Sequence, residues 1–363
     1  MINNLEQQAF RHSIYTQRFA GHLANLFEVY SRKLAKELKL LLIEAPETTN
    51  NLKLVNKLIN KYRGIALNIY GEYNDKDLLD QLEAFAIAES KWQAKSIQTA
   101  VNFSPIVTPA SAKLWAAVKS TPLIMEGADG VNLLEPFIKN WESKRIDLVG
   151  GLIRSGFMTG RTSNQIASDI AGKNGFIDRQ NKTSIKAMVR TATNNVSNVA
   201  RQKTNEANSD IIRAYKIRAT LDDRTSSTCR GFDGLVVKLS DDFKPMPPFH
   251  IQCRTTTIPI PYDIFTIDDG LGTRASKGIE GGQQIPSSEN YYDFLRNQGK
   301  QGVLGKEFVY DVLGIERGKL FLEGGLSVKR FKLLTMDELF NPIPLSILKT
   351  KTSLQLSFDK ISG

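Results

Sequence analysis

Phe19, Leu23, Leu26, Tyr30, Leu34, Leu38 and Leu41 recur at steps of three and four. That spacing places them on one stripe of a single long helix. Pro46 disfavours helix at Ala45 and ends the run. A second stripe follows in Val55, Leu58, Tyr62, Ile65 and Ile69, and a third in Leu78, Leu82, Phe85 and Trp92, with Asn74 and Asp75 expected to cap the third helix. Amphipathic helices of this length must cover their apolar faces. Packing within the chain is the expected solution, because most helical stability comes from burying such a face; docking on the helices of a partner is the alternative. The stripes are not membrane spans. The densest apolar run, Leu38 to Ile43, is six residues with Lys39 inside it, against about 20 for a helical span. The first residues, Met1 to Gln8, lack the basic-then-apolar order of a signal peptide.

The pattern changes along the chain. Residues 104–109 contain Pro105 and Pro109 and read as a break, with short helices expected near 112–119 and 133–153. Gly156 and Gly160 bracket a turn, and Thr162 or Ser163 can cap a short helix to Ala171. A long helix is expected from about Thr183 to Asn208, with Met188, Ala192, Val196 and Val199 on a thin stripe that suits close packing against something flat. After Asp210 the period falls to two. Residues 215–221, 235–239 and 255–260 read as strands, the last confined to an edge or a strand end by Pro259. The fold class is therefore α+β: long N-terminal helices, a helical region leading into a small antiparallel sheet, and a mixed C-terminal tail after a Gly-rich linker. The expected divisions are a helical arm over 1–103, separable from the rest; a module over 104–263; the linker over 264–290; and the tail over 291–363.

The densest chemistry lies between Leu221 and Ile260. Both cysteines of the chain, Cys229 and Cys253, fall here with His250, one of three histidines. Cys and His at this spacing are soft donors that suit zinc, and Asp222 or water is the candidate for a fourth ligand. A Cys229–Cys253 disulfide is a second reading, although assembly in a reducing cytoplasm disfavours it. In a third, metal-free reading, His250 bonds a backbone carbonyl and the thiols act as small buried apolar groups. Around them, Asp222 and Thr225 suit a turn or cap, Arg224 a forked ion pair, Asp233-Gly234 a turn between strands, and Pro247-Pro248 a stiff approach to His250 and Arg254. A Ser226 or Ser227, His250, Asp222 triad lacks the Gly-x-Ser-x-Gly elbow. A Cys–His nucleophile lacks a demonstrable activating helix end, and no Walker-type loop is present. An enzyme is not the expected reading.

This stretch resembles the phage Mu F-like head-morphogenesis family, the minor head or minor capsid proteins of tailed phages. The resemblance rests on Leu221-Asp222-Asp223-Arg224-Thr225-Ser226, Cys229, Asp233-Gly234 and Pro247-Pro248-Phe249-His250-Ile251-Gln252-Cys253-Arg254 as a set. It extends to the glycine turn and helix of 156–170, the helix from Arg190, and Phe294 to Gln298, Val303 to Gly305 and Lys319 to Phe321 in the tail. It covers about 150–340. The family implies a non-enzymatic, low-copy protein of the virion head, assembled in the host cytoplasm. Such a protein sits at or near the portal, contacts the portal or major capsid protein, needs no cofactor, and serves head assembly, DNA packaging or genome delivery. Some relatives carry a toxin domain, for which the tail here is too short. The balance of 48 Lys+Arg against 38 Asp+Glu also permits a second role, an internal or ejected head protein whose helix 182–203 contacts packaged double-stranded DNA through Arg190 and Arg201. A Cys/His hydrolase or toxin is a third reading.

Overall fold

The computed structural model describes residues 5–101, 105–125, 132–265 and 272–362. The expected arm boundary at 103/104 and the 266–271 part of the expected linker lie outside these residues. The first stripe forms α1 (Leu5–Ile43) and ends before Pro46. The Asn51 side chain caps α2 (Leu52–Tyr73), accepting from the backbone N–H of Lys53 and Leu54. Asn74 and Asp75 do not start a new helix. A single π turn, Asn74–Leu78, carries α2 directly into α3 (Leu79–Ala100). Asn74 is buried and its Nδ2 donates to Glu142 Oε1, so its amide serves a tertiary contact instead of capping. Next come α4 (Ser111–Ser120), α5 (Leu134–Met158) and α6 (Ser163–Ala171). Thr162 caps α6 in a reciprocal box with Gln165. A Cβ on Gly156 would lie 2.5 Å from Ile166 Cγ1, so α5 and α6 approach this closely only through glycine. Then α7 (Phe176–Gln180) leads through a π turn into α8 (Lys186–Glu206).

The N-terminal helices pack into the rest of the fold. One continuous apolar core takes Leu23, Phe27 and Leu38 from α1, Tyr62 and Tyr73 from α2, Leu82 and Phe85 from α3, Ile146 and Ile153 from α5, Ile166 from α6 and Val189 to Ala200 from α8. The expected thin stripe on α8 is fully buried in it. Phe27, Tyr70, Tyr73 and Trp141 interlock edge to face and stacked, with ring centroids 4.9–6.2 Å apart. The first two turns of α1 also reach the sheet region: Gln7 Nε2 donates to Thr273 Oγ1 at 2.8 Å.

The sheet has the order β2 (Val236–Lys238), β1 (Ile212–Arg218), β3 (Thr256–Pro261), all antiparallel. Tyr215 pairs with Val237 on one side and Pro259 on the other. Pro259 thus occupies an edge strand, where its missing N–H costs no ladder bond on the open side. A short helix, α9 (Ser227–Phe232), lies between β1 and β2. The Gly-rich stretch is only partly a linker: β4 (Thr273–Gly278) and β5 (Gly281–Pro286) form a hairpin in continuous register. Its sequence shows no apolar alternation because Arg274 and Ser276, not hydrophobic residues, face inward.

The tail is helical: α10 (Tyr291–Gly299), α11 (Gly302–Leu313), α12 (Ile315–Glu323), α13 (Val328–Thr335), α14 (Leu345–Thr350) and α15 (Gln355–Ser362). These helices share a core around Tyr292, Phe294, Phe321 and Phe331, into which Leu221 also packs.

Candidate functional site

Local hydrogen bonding shapes the Leu221–Ser226 segment before any tertiary contact is made. Asp222 Oδ1 accepts from the Arg224 N–H at 3.2 Å and from Thr225 Oγ1 at 3.1 Å, and Thr225 Oγ1 also reaches Thr220 O at 2.5 Å. Ser226 caps α9, its Oγ accepting from the Cys229 N–H at 3.2 Å. Arg254 then closes the corner from across the module. Its Nη1 and Nη2 donate to the two Asp222 oxygens at 2.6 and 2.7 Å, a bidentate fork. Burial alone would push the Asp222 carboxyl up, but this fork outweighs it and holds the group below the usual range.

The segment from Pro247 brings the remaining donors back. The Pro247–Pro248 peptide is cis. Phe249 stacks on Phe232 of α9 with centroids 4.2 Å apart. Gln252 adopts a left-handed backbone, φ 62°, and its N–H donates to Thr191 Oγ1 on α8 at 2.9 Å. The outcome is that Cys229 Sγ lies 3.1 Å from His250 Nε2 and 3.5 Å from Cys253 Sγ. Both thiols are buried and unlinked. The other ring nitrogen, His250 Nδ1, faces Ile251 O at 2.8 Å. Within the thiol pair, the contact with Cys253 and then burial push Cys229 up. For Cys253 burial acts upward, but the Cys229 contact and His250 outweigh it and bring that thiol down. Cys253 and His250 also border a cleft of about 300 Å³, lined by Arg190, Arg224, Arg254 and Asn194 among others.

Several expected residues do not join the site. Asp222 is not a fourth ligand: its carboxylate belongs to Arg254, and the clustered donors are Cys229, His250 and Cys253 alone among the described residues. The Ser226, His250, Asp222 reading gains no support either, since Ser226 Oγ caps a helix and both Asp222 oxygens are engaged by Arg254. Arg201, expected on a DNA-facing surface, is buried instead. It is 1% exposed, with Nε 2.8 Å from Glu89 Oε2, Nη1 2.7 Å from Thr256 Oγ1, and its guanidinium over the Trp92 ring. Glu89 also accepts from Ser197 Oγ at 2.6 Å and contacts His12. Arg190 is exposed, beside Gln252.

Sequence reasoning named Asp233 only as a turn residue and missed the buried charges that brace the module around it, Arg274, Arg218 and Glu6. Arg274 grips Asp233 with both Nη atoms, at 2.9 and 3.1 Å, and donates to Ala219 O at 2.5 Å. Asp233 in turn accepts from the Ala219 N–H at 2.8 Å. Arg218 pairs with Glu6 of α1 at 2.8 Å. The Asp233-Gly234 turn is therefore held from the side as well as by its own backbone, in which Gly234 has φ 85°.

Residues 148–258 match the family described as phage Mu protein F like protein. This segment is phage Mu F-like. It opens inside α5 and closes inside β3, and so takes in Asp222, the Cys229–His250–Cys253 cluster and Arg254. No curated protein and no solved structure matches the chain. The Mu F-like segment packs closely against the rest of the chain. Its α8 is buried against α1 and α3, and its Asp233 is gripped by a hairpin that lies beyond its end. No helix among the described residues is long and apolar enough to cross a membrane.

Proposed function

We propose that this chain is a non-enzymatic minor head protein of a tailed bacteriophage, acting in head morphogenesis at or near the portal and residing in the virion head. The observation that carries the reading is the Mu F-like match over residues 148–258, whose motif residues converge on one braced corner. The partners are the portal protein, the major capsid protein or both, and the role is DNA packaging or genome delivery. The burial of both thiols and the engagement of Asp222 and Ser226 in structural bonds support a scaffold over a reaction centre. Contact with packaged DNA is a weaker reading once Arg201 is accounted for, and rests on exposed Arg190 and the overall positive charge.

The test is quantitative mass spectrometry of purified virions together with heads assembled without the protein. The expected result is a low, fixed copy number in virions and defective or DNA-poor heads in its absence. Absence from virions, with normal heads formed without it, would overturn the reading. Replacing Arg190 by Ala separates the DNA role: loss of one phosphate contact lowers the salt slope of DNA binding by about 0.9, whereas a protein-docking role leaves it unchanged.

A further inference from the structure

Three soft donors from two separate segments converge in the Mu F-like corner without a covalent bond between them. All three donor atoms lie within 4.8 Å of one another. Sulfurs bound at about 2.3 Å to one tetrahedral ion sit roughly 3.8 Å apart; here they are 3.5 Å apart, far beyond the ~2.05 Å of a disulfide. The imidazole is oriented for ligation. With Nδ1–H donated to Ile251 O, the lone pair is on Nε2, the atom that faces Cys229 Sγ. Each donor is also held by its own support. Cys229 sits in a helix capped by Ser226, the Cys253 N–H donates to His250 O at 3.2 Å, and the intervening Gln252 is tied to Thr191. Such fixed placement of sulfur and nitrogen donors is what a tetrahedral N/S site requires.

We propose that Cys229 Sγ, His250 Nε2 and Cys253 Sγ hold one zinc ion, with water from the adjoining cleft in the fourth position. Two thiolates balance the charge of the divalent ion. The cleft bordering His250 and Cys253 supplies the water, and its lining arginines leave no competing carboxylate beside the ion among the described residues. The ion's role is structural. It links α9 to the 250–253 turn across 21 and 24 positions of sequence, and because the unfolded chain does not preform the site, binding energy becomes folding energy.

The experiment uses the full chain, purified without a metal-affinity step. The expected result is one zinc per chain by elemental mass spectrometry and two free thiols on titration of the denatured, unreduced protein. Exchange with cobalt(II) alone should produce a thiolate-to-cobalt charge-transfer band. His250→Ala and Cys253→Ser should weaken zinc binding by more than the roughly 10- to 100-fold typical of losing an outer-shell partner, while His22→Ala, at an exposed site on α1, keeps full stoichiometry. Should either variant fail to fold, chelation of the wild type decides: the melting temperature should fall and recover on adding zinc. Folded wild type that has two free thiols, contains no zinc and takes up no cobalt would overturn the proposal. So would the absence of free thiols, which would mark a disulfide.

Discussion

Arg201 shows how burial reverses the meaning of a charge. On a helical wheel it is one more basic residue; in the fold it is the centre of a junction joining α1, α3, α8 and β3 through His12, Glu89, Trp92, Ser197 and Thr256. Removing one member of such a pair leaves the other charged, buried and unpaired. Arg201→Ala is therefore expected to destabilise the chain by about 3–5 kcal/mol, read as a lower urea midpoint at unchanged slope. The same junction sets an acid limit. Burial would raise the Glu89 carboxyl, but Arg201, His12 and Ser197 outweigh it and hold it below its ordinary value. A group whose folded pKa is depressed contributes stability above its unfolded value and loses it as pH falls through the folded one. Stability should thus drop as pH falls below about 4, and drop less steeply in Glu89→Gln. An identical acid profile in that variant would remove Glu89 from the account.

At the scale of elements, the β4–β5 hairpin is fastened to the module by a buried side chain as well as by its own ladder. An isolated two-stranded hairpin is marginal in water, yet this one presents fully buried Arg274 to Asp233, Ala219 O and Glu289 O. Arg274→Ala leaves Asp233 without its forked partner, a cost of about 3–5 kcal/mol for breaking a buried pair. The expected signature is local: accelerated proteolysis within 272–290, ahead of cleavage in α8. Uniform loss of stability, with no preferred cleavage there, would mean the hairpin opens only with the whole fold.

For the whole molecule, the continuous core is the deciding feature. Residues 105–363, without α1 to α3, would expose the buried faces of α5, α6 and α8 and strand Arg201 and Arg218 without Glu89 and Glu6. That fragment is expected to lack a cooperative unfolding transition, checked by calorimetry and circular dichroism against the full chain. A sharp transition in the fragment would restore the picture of a detachable arm. A head-assembly defect caused by deleting 1–103 would accordingly report lost folding, and docking is better tested by substituting exposed residues of α1.

The sequence by itself determined what depends on local periodicity and local hydrogen bonds. The stripe through Leu23 and Leu38, the Thr162 cap, the period-two runs around Tyr215 and Val237, and the edge position of Pro259 all follow from side-chain spacing or backbone chemistry within a few residues. The motif from Leu221 to Arg254 likewise marked the corner where Cys229, His250 and Cys253 meet. Tertiary structure alone decided which charges were buried and which partners they found. Asn74 and Asp75 look like a cap, but Glu142, far away in sequence, receives the Asn74 amide and the helix runs on. Asp222 looks like a ligand until Arg254 reaches it. The 273–286 stretch looks unstructured because its inward residues are polar, Arg274 and Ser276, and burial of the arginine is tolerable only where Asp233 is waiting. Partners separated by tens of residues leave no periodic trace, and only the folded chain brings them within hydrogen-bonding distance.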